Sequence, residues 1–176
     1  MHDPPADPLL VRLLDEARLA HVRASDDRRH VLAGVAAASA TLVGTLADLA
    51  DAGRPLTVRT RGGRRHAGSL VLVGLDFAVV EGAAGQLWCP LRAMAGVAAG
   101  GSPVTAGAGS AADLVLVDAL ALLAETEPRV AVDLSSGEAV AGELAGVGVD
   151  VVRLRLDGGA SLYVPSDSLD GLLRSG

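Results

Sequence analysis

Residues 56–76 read LTVRTRGGRRHAGSLVLVGLD, and residues 130–150 read VAVDLSSGEAVAGELAGVGVD. Each is a short apolar alternation, a Gly-centred turn, and a second, longer alternation interrupted by glycine. Adding 74 to a position in the first stretch lands on its counterpart in the second: Val58 on Val132, Gly63 on Gly137, Gly68 on Gly142, Leu70 on Leu144, Gly74 on Gly148 and Asp76 on Asp150. The chain therefore contains an internal duplication. Gly63 and Gly137 sit where a tight hairpin needs positive φ. Gly68 and Gly142 interrupt a long strand where a missing side chain permits a bend. The repeated Asp follows a Gly-containing turn, where its carboxylate can bond backbone amides.

The correspondence extends outward in both directions. Before the strands, Leu42, Leu46 and Leu49 match Leu116, Leu120 and Leu123 at helical spacing. After a one-residue insertion the offset becomes 75, and Leu87, Trp88, Pro90 and Met94 meet Leu162, Tyr163, Pro165 and Leu169. Alternation and turn residues predict strands over 56–61, 65–73, 77–81, 86–89 and 93–98, with strands resuming at Val130. A helix opens near Asp113 and ends before Pro128, turning Leu114, Val117, Leu120 and Leu123 inward. Ahead of the first repeat, Leu9, Leu10, Leu13, Leu14, Ala17 and Ala20 form one apolar helical face. A second helix, capped by Ser25 or Asp26, stops near Gly53. The predicted organisation is an N-terminal helical segment (1–37), a first helix-plus-strand repeat (38–98), a Gly/Ala/Ser linker (99–112) and a second repeat (113–176).

The features Gly68-x-Leu70-x-x-Val73-Gly74-x-Asp76 and Gly142-x-Leu144-x-x-Val147-Gly148-x-Asp150, followed by an apolar strand and a Pro-bounded last strand, resemble the Sm-like, SH3-type small β-barrel. The resemblance covers roughly residues 38–98 and 112–173. The doubled arrangement is also similar to actinobacterial proteins that carry the label of Fis-type regulators, although no helix-turn-helix is legible. The fold expected is mainly β with helices: two tandem five-stranded barrels, each preceded by a helix, plus an N-terminal helix. In Sm-like rings a polar group after the motif Asp holds an RNA base. At that place this chain has Phe77 in the first repeat and, three residues after the second motif Asp, Arg153.

Composition bounds the function. The 176 residues carry a net charge of −6, which works against nonspecific binding to nucleic acid. All 15 basic residues are Arg, and Lys, Asn and Ile are missing, a bias expected of a GC-rich bacterial source. One cysteine, Cys89, makes no internal disulfide. The opening residues have neither the charged nor the apolar part of a signal peptide, and no apolar run approaches a membrane span; cytoplasm is the expectation.

The candidate binding site is the basic hairpin Arg59, Arg61, Arg64, Arg65 and His66, cationic groups around one turn that suit phosphates or an acidic partner. The same hairpin in the second repeat carries Asp133, Ser135, Ser136 and Glu138, and the opposite charges invite head-to-tail association. Phe77, Trp88 and Tyr163 are candidate surface aromatics, with core packing as their other reading. His2, His21, His30 and His66 stand at no metal-ligand spacing, and Cys89 has no His near it in sequence. The expectation is therefore no catalytic residue, no metal and no cofactor. The leading function is a non-enzymatic interaction or scaffolding module with a protein partner, a homodimer being the preferred assembly. The alternative is binding of RNA or single-stranded nucleic acid through the Arg-rich hairpin.

Overall fold

The computed structural model describes residues 41–101 and 111–175. The N-terminal helical segment and most of the linker lie outside the described residues. Thr41 caps the first helix, α1 (Leu42–Asp51), its hydroxyl accepting from Gly44 N at 3.0 Å, and Leu46 and Leu49 turn inward. Gly53, at φ +59°, lets the chain leave that helix for the strands, a role suited to a residue without Cβ. Five strands follow: β1 (Pro55–Thr60), β2 (Arg65–Val73), β3 (Phe77–Gly82), β4 (Gly85–Pro90) and β5 (Met94–Ala99), the last two joined by a 3-10 turn at Leu91–Ala93. The second repeat has α2 (Leu116–Ala124), β6 (Arg129–Leu134), β7 (Ala139–Val147), β8 (Val151–Arg155), β9 (Ser161–Pro165), a 3-10 turn at Ser166–Ser168, and β10 (Leu169–Arg174). Among the described residues no helix is long and apolar enough to cross a membrane.

The duplication is kept to the level of single residues. Leu56 faces Gly68 and Ala99; 74 residues on, Val130 faces Gly142 and Arg174. Pairing slips between Leu70 and Leu72 in one repeat, and between Leu144 and Gly146 in the other. That bulge kinks the long second strand at the same place in both.

The expectation of two closed five-stranded barrels is overturned. All ten strands of the described residues belong to one open antiparallel sheet, in the order β5-β1-β2-β3-β4-β10-β6-β7-β8-β9. Instead of turning back to β5, β4 pairs with β10 of the second repeat, Leu172 facing Trp88, Leu173 facing Leu87 and Arg174 facing Gln86. A strand alternates in the same way whether its sheet closes or continues, so the periodicity that located the strands carried no information on which edge β4 would join. Burial favours continuation. Phe77 and Val79 of the first repeat sit in one core cluster with Leu120, Val132, Leu144, Leu154 and Leu172 of the second, and Trp88 packs against it. A second cluster gathers Leu46, Leu49, Val58, Leu70, Val80 and Leu87 under α1.

The second helix starts later than expected, at Leu116 rather than Asp113, and Val115 offers it no side-chain cap. Asp76 supplies one instead from the first repeat, its Oδ1 accepting from Leu116 N at 2.7 Å. Just ahead of the helix, Ala112 N donates to Val73 O and Leu75 N to Leu114 O, tying the end of the linker to the turn after β2.

Gly68 owes its place to an approach tighter than a simple bend: a Cβ there would stand 2.2 Å from the carbonyl oxygen of Glu81. The neighbour is backbone, so it cannot rotate away. Gly68→Ala is expected to cost about 1–3 kcal/mol, the range for forcing extra volume into a packed site, read as a lower midpoint in urea unfolding. Gly96→Ala, with open space around it, is the matched control and should unfold like wild type.

Candidate interaction surface

The joint between the repeats is held by more than its ladder. In β10, Asp170 is buried at 3% exposure, and its Oδ2 accepts from Gly62 N at the tip of the β1–β2 hairpin. Asp133, also buried, stands 3.0 Å from Arg64 Nε and 3.3 Å from His66 Nε2, the latter within ion-pair reach but without hydrogen-bond geometry. Arg64 also reaches Gly137 O at 3.4 Å, and Arg92 donates to Ser166 O. Each of these contacts crosses from one repeat to the other. Together they fix the register of β4 on β10.

The Arg-rich hairpin is thus divided. Arg64, itself exposed, and half-buried His66 reach Asp133 of the second repeat, while Arg59, Arg61 and Arg65 are exposed as well. The aromatic residues also part company. Phe77 is fully buried, Trp88 is half-buried and stacks on Phe77 with ring centroids 5.9 Å apart, and Tyr163 on β9 is 63% exposed. Phe77 is therefore core, Trp88 belongs to the joint, and Tyr163 stands on an outer strand.

Asp170 and Arg92 were not singled out by sequence reasoning; Asp133 was noted only for the charge of its hairpin, and Asp76 for a carboxylate able to bond backbone amides, as it does with Leu116 N. Asp170 was accessible to it. Under the repeat offset Asp170 replaces Ala95, and a charge on an inward strand position in only one copy of a duplication signals a contact that copy alone makes.

Beside the joint lies a cleft of about 430 Å³ lined in part by Asp76, Arg92, Asp150 and Asp167. Among the described residues no group of three or more His, Cys, Asp or Glu is placed to hold a metal ion. Cys89 is buried in β4, its Sγ 3.4 Å from Asp170 O. Burial, reinforced by the negative charges of Asp170 and Asp133, pushes its thiol from 9.0 up to about 12, with Arg92 opposing. Comparison with protein-family models and with curated proteins finds no match.

Two outcomes follow. Asp170→Ala leaves Gly62 N–H without its charged acceptor and should destabilise the protein by about 2 kcal/mol, in line with loss of a hydrogen bond to a charged group, seen as a lower thermal midpoint. Cys89 should resist iodoacetamide at pH 8 in the native protein and react once urea unfolds it. Below about pH 9 the thiol is neutral in both states. Above it only the unfolded chain ionises, so stability should fall as pH rises from about 9 towards 12.

Proposed function

We propose that this chain is a non-catalytic cytoplasmic scaffold that binds protein by strand addition at the two outer edges of its sheet. The observation that carries the reading is the internal joint: two repeats are held together by pairing β4 with β10, and among the described residues the corresponding strands at the ends of the sheet, β5 and β9, each have a strand on one side only. An edge of this kind presents a row of backbone donors and acceptors to an extended partner. Exposure agrees. Pro90 on β4 is buried and its counterpart Pro165 on β9 is exposed; Asp170 on β10 is buried and its counterpart Ala95 on β5 is exposed. Cys89, packed as a thiol, suits a reducing compartment.

The hairpin supports this reading over nucleic-acid binding, since the Asp133 carboxylate pairs with Arg64, which stays exposed, and stands within ion-pair reach of His66, offsetting part of the positive charge of the turn. Affinity for phosphate backbone scales with the number of neutralised charges, and the net charge of −6 opposes it.

Crosslinking in cells followed by capture of the full-length chain tests the proposal. Protein should be recovered with wild type and lost with Tyr163→Asp, which places a charge on the β9 edge, while RNA stays at background. RNA recovered with wild type and lost when Arg59, Arg61 and Arg65 are all changed to Ser would overturn the proposal in favour of the hairpin.

A further inference from the structure

The turn after β2 and the turn after β7 correspond under the repeat offset, and the chain covers only the first of them. On its way into α2 the segment from Ala112 to Leu116 crosses that first turn and makes three bonds with it. Ala112 N donates to Val73 O at 2.8 Å, Leu75 N to Leu114 O at 2.9 Å, and Leu116 N to Asp76 Oδ1 at 2.7 Å. The equivalent groups of the second turn are Val147 O, Val149 N and the Asp150 carboxylate, and among the described residues no partner takes them up. Exposure follows. Val73 and Gly74 are buried, whereas Val147 and Gly148 are half-buried; Leu75 is 49% exposed and Val149 93%. A Cβ on Gly74 would press on the Phe77 ring and stand 2.7 Å from Leu114 O. One on Gly148 would meet Val151 Cγ1 first, at 3.1 Å, so the second turn keeps open the space that a crossing carbonyl fills at the first.

The open turn borders the cleft of about 430 Å³, to which Val117, Leu120, Val147, Val149 and Val152 contribute apolar walls. Of the four charged residues lining it, Asp76, Asp150 and Asp167 are acidic, and the fourth, Arg92, already donates to Ser166 O. A polypeptide with apolar side chains, positive charge and backbone groups in the order of Ala112 to Leu116 suits that combination. A second copy of this chain suits it less well. Its α1 carries a cap of its own in Thr41, and the residue equivalent to Leu114 is Ala40; α2, which has no cap side chain before it, is the helix that takes an Asp from elsewhere.

We propose that the turn after β7 is a docking site for a segment of another protein, extended and then helical, with the small-x-apolar-x-apolar pattern of Ala112 to Leu116 and a basic residue where this chain has Asp113. The extended part repeats the backbone bonds of the first turn at Val147 O and Val149 N. The helix that follows starts without a cap side chain of its own and receives one in Asp150. Tyr163 of the β9 edge does not line the cleft, so this site and the edge-docking reading can fail independently.

The probe is a fluorescently labelled synthetic peptide of residues 111–118 carrying Asp113→Arg, titrated into the full-length chain and followed by anisotropy. It should bind saturably, and more tightly than the peptide of native sequence. Asp150→Ala should weaken it about 10-fold, the factor expected of one hydrogen bond to a charged acceptor. Gly148→Ala, which sets a methyl group where the carbonyl crosses, should weaken it by about 10-fold or more. Circular dichroism and the urea midpoint report that both variants stay folded, and Tyr163→Asp should bind the peptide like wild type. Failure of both peptides to bind, or binding that ignores Asp150→Ala and Gly148→Ala alike, would overturn the proposal. Displacement of the peptide by single-stranded RNA would overturn it in favour of a nucleic-acid site. Self-association in sedimentation velocity that Gly148→Ala abolishes would overturn it in favour of a second copy as the occupant.

Discussion

One strand, β10, is bonded on both sides, to β6 of its own repeat and to β4 of the other. Its double occupancy decides whether the molecule is two small units or one sheet. Because β4 is taken by β10 it cannot turn back on β5, and because β10 is buried its carboxylate at Asp170 must find a donor, which Gly62 supplies. The hairpin that carries Gly62 is thereby drawn against the second repeat, bringing Arg64 and His66 to Asp133. Phe77 and Trp88 then share a core with residues more than 40 positions further on, such as Val132 and Leu172. Asp76 completes the link by capping a helix that has no cap of its own. Backbone pairing, packing, ion pairing and capping all cross the same boundary.

The duplication, the strand positions and the Gly turns were legible in the sequence because each has a local cause. Gly63 and Gly137 stand at φ +85° and +87°, the backbone that a turn between two alternating strands calls for. Closure was not legible. It depends on which strand β4 meets, a choice between partners 84 residues apart and partners nearby, and both satisfy the same alternation. The site was legible in part. Clustering of arginines marked the hairpin, but the division of that cluster between Asp133 and solvent depends on long-range placement. The helix start was misplaced for a similar reason: Asp113 is a reasonable local cap, and the chain uses Asp76 from the preceding repeat.

Differences between the repeats are concentrated where the inner joint and the outer edges must differ. Asp170 against Ala95, Gly62 against Ser136 and Arg64 against Glu138 are changes at positions that touch across the joint in one case and face solvent in the other. Shared core positions such as Val58 and Val132, or Leu70 and Leu144, keep their size and polarity. Conserving the core retains the unit. Altering the rim, by charge above all, lets one edge prefer one partner over its near-twin.

The position of β10 also orders events in time. It lies in the middle of the sheet and is the last of the ten described strands in chain order. As the polypeptide leaves the ribosome, nine strands are made while β4 and β6, which flank the vacancy, have nothing between them. The centre of the sheet therefore lacks its strand until β10 has been made. Until then the nascent molecule exposes the apolar lining of that vacancy, Leu87 and Val132 among it, and a chain interrupted before Leu169 keeps it exposed: an unfinished copy differs in surface from a finished one at the seam where the two halves should meet.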